Sequence, residues 1–264
     1  MKNLFGMFFF IFLASDMNNT MQRFSMIYKI LPVLVFFLAS FTPSKNITTK
    51  PATHSLEMAT NVVVTFEMKA EIIYNSLHSN NLALPKLESF TSALEGFEKL
   101  KEKGLIQKDI LTLIDFSLSS NTKRLWVIDM STNTVLYNSL VAHGRNTGDE
   151  FANSFSNAAE SFKSSLGFYA TGEIYSGKHG KSLKLDGLEK GVNDNARARG
   201  VVMHAADYVS NSFIKNNKRL GRSEGCPAIP AEFTAEIINV IKNKSCLYIY
   251  HPSRNLKLSS KLVS

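Results

Sequence analysis

The spacing of hydrophobic residues changes along this chain, and it predicts helices first and strands afterwards. In two stretches, hydrophobic residues recur at intervals of three and four, which is the period of an amphipathic helix. The first stretch contains Phe66, Ala70, Ile73 and Leu77, and the second contains Leu87, Phe90, Leu94, Phe97 and Leu100. Gly104 is placed to end the second helix. These stripes predict a helical N-terminal section over residues 61–108.

From residue 109 onward, β-prone runs predict a sheet. The runs cover residues 111–116, 124–130, 134–142, 200–204 and 246–250, and the tripeptide 131–133 favours a hairpin. Between them, residues 143–200 are rich in Gly, Asn and Ser, so loops and short strands over one face of the sheet are expected. One further helix is predicted after Pro230. The fold class is therefore α+β, with a mainly antiparallel, β-sandwich-like core in residues 109–264.

Two apolar runs, 4–14 and 30–41, precede the predicted fold. The second run is shorter than the roughly 20 apolar residues that span a bilayer, but with Arg23 and Lys29 before it, it suits the core of a signal peptide. We interpret residues 1–44 as an export leader and residues 45–60, which lack apolar periodicity, as a linker. The protein is thus expected in the periplasm or cell envelope. A retained anchor and a start at an internal Met remain alternatives.

The formal net charge of +8 is spread along the chain. No basic block interleaved with aromatic residues occurs, so the sequence does not predict nucleic-acid binding. A mildly basic exported protein suits an anionic polymer of the envelope. The only membrane contact expected is through an uncleaved leader.

The tetrad Ser223-Glu224-Gly225-Cys226, downstream of His204, carries the candidate chemistry. A free thiol has a pKa of about 8.5 and is mostly protonated at neutral pH, so a nucleophilic cysteine needs a base such as an imidazole. Gly225 permits a sharp turn that leaves amide groups free for an oxyanion. The pattern is that of acyl transfer, although a Cys and a His far apart in sequence are often unrelated.

The second cysteine, Cys246, leaves a disulfide with Cys226 as an alternative in an oxidising compartment. Its surroundings argue against this, because residues 245–250 form a β-prone run in which a small thiol packs as a hydrophobic residue. A zinc site formed with His143, His179 and His204 is also disfavoured, because no close-spaced ligand pair occurs. No metal or cofactor is expected.

Residues 110–250 resemble the murein L,D-transpeptidase catalytic domain family, a branch of the YkuD-like cysteine transpeptidases. The resembling segments, in order, are residues 115–117, 124–129, 141–144, 164–169, 180–188, 193–196 and Gly221-Arg222-Ser223-Glu224-Gly225-Cys226-Pro227-Ala228. The helical section also looks like this branch. Three features depart from the wider family: the 18-residue gap between His204 and Ser223 is slightly long, Glu224 replaces the histidine of the motif, and Pro227-Ala228 follows the cysteine. Cys-Pro-Ala resembles the branch, in which we expect an aromatic residue at the position of Glu224.

The resemblance implies a site and a substrate, the stem peptides of peptidoglycan. By position, Cys226 is the nucleophile and His204 the base. A backbone carbonyl or Ser223 orients the imidazole, and the amides around Gly225 and Cys226 stabilise the oxyanion. For Arg222, a clamp on a substrate carboxylate and a local loop contact are equal alternatives. Tyr169 is a further candidate for substrate binding, with a core or surface role as an equal alternative. His143 is another candidate, although a structural or rim role is favoured for it and for His179. Because Glu224 departs from the pattern, a non-catalytic wall-binding module is the competing hypothesis.

Overall fold

The computed structural model describes residues 64–254. The predicted leader, linker and internal start sites lie outside these residues. Within 64–254, no helix has the length and apolar character needed to cross a membrane.

Two helices form the N-terminal section. Helix α1 spans Phe66–Asn75, and the Thr65 side chain caps it by accepting a hydrogen bond from the Met68 amide. Helix α2 spans Leu87–Glu102 and buries one apolar face against strands of the sheet. Both helices lie where the hydrophobic stripes predict them.

The eight strands of the described chain form a single mixed sheet. They are β1 (Ile110–Asp115), β2 (Leu125–Asp129), β3 (Thr134–Ser139), β4 (Gly167–Gly177), β5 (Gly180–Gly187), β6 (Val202–Ala205), β7 (Ala228–Ile229) and β8 (Cys246–Tyr250). Their order is β3-β2-β1-β8-β4-β5-β6-β7. Neighbours are antiparallel except for β1 with β8 and β6 with β7. Helix α3 (Asn211–Asn217) precedes β7, and helix α4 (Ala231–Ile241) follows it.

Hydrophobic residues fill both faces of this sheet. Alternate residues of the central strands point to opposite faces, so Tyr248 packs with α1 and α2 on one side while Leu247 packs with α4 on the other. The predicted α+β class with a helical N-terminal section is confirmed. The short edge made by β6 and β7 is the part of the sheet that carries the candidate site.

The prediction of loops and short strands for residues 143–200 is wrong in its second half. Strand β4 is the longest of the described strands, with 11 residues, and β5 pairs with it in an antiparallel hairpin. Glycine and polar residues mark these strands because the hairpin end of both is exposed to solvent and a bulge between Thr171 and Ile174 interrupts the ladder. Helix α3 was not predicted, since none of its residues is buried and it has no apolar stripe.

Candidate active site

Strands β5, β6 and β7 form one edge of the sheet, and their register brings His204 and Cys226 to neighbouring parts of that edge. His204 on β6 lies opposite Ser182 on β5 and opposite Ala228 on β7. Cys226 lies two residues before Ala228, and its Sγ accepts a hydrogen bond from the Val202 amide at 3.4 Å. Val202 is itself two residues before His204, on the same face of β6. The thiol therefore contacts the strand that carries the histidine.

The imidazole of His204 is held in one tautomer. It is 3% exposed, and its Nδ1 lies 2.8 Å from the carbonyl oxygen of Ala205. Because a carbonyl only accepts, Nδ1 carries the proton and Nε2 is left as an acceptor. Burial lowers the pKa of His204, the Ala205 carbonyl opposes this, and the charges of His179 and Lys178 lower it further. The side chain is thus a neutral imidazole with the proton-accepting nitrogen available.

A tight turn over residues 223–226 presents the thiol. Ser223 Oγ donates to the Cys226 carbonyl at 2.6 Å and accepts from the Gly225 amide at 3.1 Å. Gly225 has φ +123°, and a Cβ there would lie 2.8 Å from the Lys163 carbonyl oxygen. Only glycine fits this position without strain. Ser223 shapes the turn, and of the two candidates for orienting the imidazole, the backbone carbonyl makes the contact.

The turn also decides which amides can face an oxyanion. The Gly225 amide is engaged by Ser223 Oγ. The Cys226 amide makes no backbone hydrogen bond within residues 64–254. Of the two predicted donors, Cys226 N–H is therefore the one that the fold leaves available.

The thiol of Cys226 is half-buried and not ionised in advance. Burial raises its pKa, while the hydrogen bond from the Val202 amide and the charge of Arg199 lower it, and the charge of Glu224 raises it. Its Sγ also lies 3.8 Å from the Gly200 carbonyl oxygen, the position of an S–H donor. The desolvated site favours a neutral thiol beside a neutral imidazole, so the base that the sequence predicts has to take the thiol proton during the reaction.

Of the two roles considered for Arg222, the structure has the local loop contact. Its NH1 group donates to the carbonyl oxygens of Arg145 and Gly148 and lies 2.7 Å from Asp149 Oδ1. These contacts tie the turn before Cys226 to the 145–149 loop. The guanidinium is thereby engaged within the protein, and it holds the loop in place.

His143 and Tyr169 are buried, which corrects their assignment as substrate contacts. His143 is 1% exposed, with Nδ1 2.8 Å from an Arg124 guanidinium nitrogen. Tyr169 is fully buried, and its hydroxyl donates to the Ser165 carbonyl oxygen at 2.8 Å. The polar atoms of both side chains are engaged by neighbouring protein groups, as expected for residues with a structural role.

Two residues near the site were not among the predicted ones. Arg199 donates to the carbonyl oxygens of Ser156 and Lys163, and its guanidinium lies 3.3 Å from the position that a Gly225 Cβ would take. His179, at the tip of the β4–β5 hairpin, stacks on His204 with ring centroids 4.3 Å apart. His179 had been assigned a structural or rim role, and the sequence carries no signal that pairs either residue with the site.

A cavity of about 360 Å³ lies beside strand β6. Its walls are Tyr175, Lys184, Leu185, Arg197, Gly200, Val201 and Val202. Gly200 and Val202 also contact Cys226 Sγ, but neither Cys226 nor His204 lines the cavity. Its two cationic residues are paired with carboxylates, Lys184 with Glu173 at 2.8 Å and Arg197 with Asp186 and Glu173.

Cys226 and Cys246 are both free. Within residues 64–254, no group of three or more His, Cys, Asp or Glu side chains is arranged to hold a metal ion.

Comparison with known proteins gives one family and several similar structures. The family model described as the L,D-transpeptidase catalytic domain matches residues 83–250, more than half of the chain. A search of the curated proteins finds no match.

The similar solved structures include an L,D-transpeptidase from Mycobacterium smegmatis (11% identity, 54% of this chain and 59% of that chain covered, TM-score 0.35). Another is the L,D-transpeptidase from Xylanimonas cellulosilytica (11% identity, 55% and 61% covered, TM-score 0.33). A third is L,D-transpeptidase 1 of Mycobacterium tuberculosis (10% identity, 54% and 62% covered, TM-score 0.31). The chain spans less than two thirds of the length of each of these three proteins.

Proposed function

Because the chain belongs to the L,D-transpeptidase catalytic domain family, we propose that it is an exported cysteine acyltransferase acting on peptidoglycan stem peptides. The acyl donor is a stem tetrapeptide, and the bond broken joins an L-centre to the terminal D-alanine. The acceptor is the amine of a second stem peptide.

The observation that carries this proposal is the environment of the Cys226 sulfur. It contacts the amide of Val202, two residues before His204, whose Nε2 has no proton and whose Nδ1 is held by the Ala205 carbonyl. A nucleophile and an oriented base on adjacent segments are the parts that nucleophilic catalysis requires.

In the acylation half-reaction, Cys226 Sγ attacks the carbonyl carbon while its proton passes to Nε2 of His204. The carbon–nitrogen bond to D-alanine then breaks, and the imidazolium returns the proton to the leaving amine. The product is a thioester on Cys226. In the second half, the acceptor amine attacks the thioester, its proton passes through His204 to the sulfur, and the new amide leaves.

The negative oxygen of the tetrahedral intermediate faces the Cys226 amide in this scheme. A donor of this kind contributes about 3 to 4 kcal/mol to transition-state stabilisation. Because the thiol and the imidazole both begin neutral, proton transfer accompanies the attack, and the burial of the site limits competition from water.

The test is incubation of the mature protein with a disaccharide tetrapeptide, with products analysed by mass. A cross-linked dimer together with free D-alanine supports the proposed transpeptidase. D-alanine with a trimmed monomer and no dimer identifies a carboxypeptidase that uses water as acceptor. No product, with retained binding to peptidoglycan, identifies a non-catalytic wall-binding module. Cys226→Ala in the same assay controls for a contaminating hydrolase.

A further inference from the structure

The tip of the β4–β5 hairpin lies over the candidate base. Gly177 pairs with Gly180, so the hairpin turns through Lys178 and His179. The ring of His179 stacks on that of His204 at 4.3 Å between centroids and 22° between planes. His179 is exposed, whereas His204 is 3% exposed. The exposed ring therefore covers the buried one on its solvent side.

We propose that His179 is a positioning residue for His204, holding its imidazole in the plane set by the Ala205 carbonyl and covering it from water. This inference rests on the proposed function, because it assigns a role in the same reaction. The hydrogen bond at Nδ1 restrains the His204 ring at one edge. A second ring stacked on its face restrains the ring further, which keeps the Nε2 edge in one orientation.

The stack also brings the rings of His179 and His204 close enough to interact electrostatically. Burial is the largest cause of the lowered pKa of His204, and His179, with its ring centroid 4.3 Å away, lowers that pKa further. The other charged group that acts on His204 is Lys178 on the same hairpin. Lys178 also acts on Cys226, as do Arg199 and Glu224, and Tyr208 is acted on by Cys226 and Glu224. The hairpin tip therefore adds to the effect of burial on the pKa of His204.

Three single variants separate these effects. His179→Ala removes the ring, His179→Phe keeps a stacking ring without a charge, and Ser176→Ala changes an exposed hairpin residue that does not touch His204. We expect His179→Ala to lower kcat about tenfold with KM little changed, since it disturbs the base and not substrate binding. We expect His179→Phe to restore most of kcat at alkaline pH, and Ser176→Ala to match the wild type.

The pH dependence gives a readout that a merely structural role would not move. His179→Phe removes the contribution of His179 that lowers the pKa of His204, so the acid limb of kcat should move to higher pH in this variant. The same shift should appear in the NMR titration of the His204 ring, which needs no turnover. The melting temperature of each variant checks that the fold is retained.

The NMR measurement separates this inference from the proposed function. If the wild type makes no product but the His204 titration moves upward in His179→Phe, the stack is real and the enzymatic proposal fails. If the wild type is active and neither kcat nor the His204 titration changes in His179→Ala, the positioning role is overturned. Equal losses of kcat in His179→Ala and Ser176→Ala would also overturn the positioning role, because both losses would then come from a disturbed hairpin and not from the missing His179 ring.

Discussion

The turn around Cys226 and the sheet interior around Cys246 show what makes one thiol a candidate nucleophile. Cys246 lies on the central strand β8, is fully buried, and its pKa is raised far above the usual range by that burial. Cys226 is also desolvated, but its sulfur contacts the Val202 amide and lies in the field of Arg199, near a histidine with a free acceptor nitrogen. Burial alone makes a thiol inert, and polar neighbours on adjacent segments make it usable.

Replacing the two cysteines in turn tests this comparison most strongly. Cys226→Ala removes the proposed nucleophile, so we expect product formation to fall by at least about a thousandfold. Cys246→Ala leaves the site untouched and removes one buried sulfur, at a cost of about 1 kcal/mol in the free energy of unfolding. Product analysis by mass and urea denaturation measure the two effects. Retained turnover in Cys226→Ala would break the comparison outright.

Replacing Gly225, in the turn that presents the thiol, is expected to give the next largest effect. Gly225→Ala forces a side chain into φ +123° and against the Lys163 carbonyl oxygen, so we expect a loss of about 2 to 4 kcal/mol in the free energy of unfolding. Gly191→Ala is the matched control, because Gly191 has φ +77° with nothing within 4 Å of a Cβ. It should cost about 1 kcal/mol. Equal denaturation midpoints for the two variants would show that the turn is not held as described.

The buried histidine of the protein interior, His143, predicts how the free energy of unfolding depends on pH. Burial, and then the charge of Arg124, lowers the pKa of His143 to about 4 from its ordinary value of 6.5. The unfolded chain therefore binds the proton first, so stability is intact above pH 6.5 and is lost as the pH falls toward 4. The total loss is up to about 3 kcal/mol. His143→Gln should flatten this part of the stability profile, measured by urea denaturation at pH 7 and pH 4.5.

Replacing Arg199 is expected to give the smallest of these effects. Its charge lowers the pKa of Cys226, so Arg199→Gln should slow alkylation of Cys226 by iodoacetamide about threefold to tenfold at pH 8. Arg197→Gln, two residues away and paired with Asp186 and Glu173, is the matched control and should alkylate at the wild-type rate. Alkylated Cys246 should be absent from all three proteins while they stay folded, as read by mass spectrometry of the peptides. An unchanged alkylation rate in Arg199→Gln would show that the charge of Arg199 does not contribute to the reactivity of Cys226.

Local patterns in the sequence predicted the helices of the N-terminal section well. The stripe from Leu87 to Leu100 falls on the buried face of α2, because helical periodicity depends only on neighbouring residues. The hairpin at residues 131–133 was equally local, and the structure has it between β2 and β3. The length of β4 was missed, since a strand with an exposed half and a bulge shows little hydrophobic alternation.

For the site, residue type and tertiary position gave different information. Cys226, His204 and the glycine turn were named from the motif, whereas Tyr169 and His143 were named from neighbouring segments and lie in the core. Exposure of a side chain depends on which elements cover it, and this is not written in the nearby residues. The same reason hid Arg199 and His179, which reach the site from separate loops.

By itself, the sequence determined the order of helices and strands, the family of the chain and the identity of the one cysteine that sits on a glycine bend. Only the tertiary structure decided that Ser223 shapes the turn, that the Ala205 carbonyl holds the imidazole, and that the thiol begins neutral. Periodicity and motifs are properties of adjacent residues, whereas hydrogen-bond partners and desolvation arise from segments that meet when the sheet assembles.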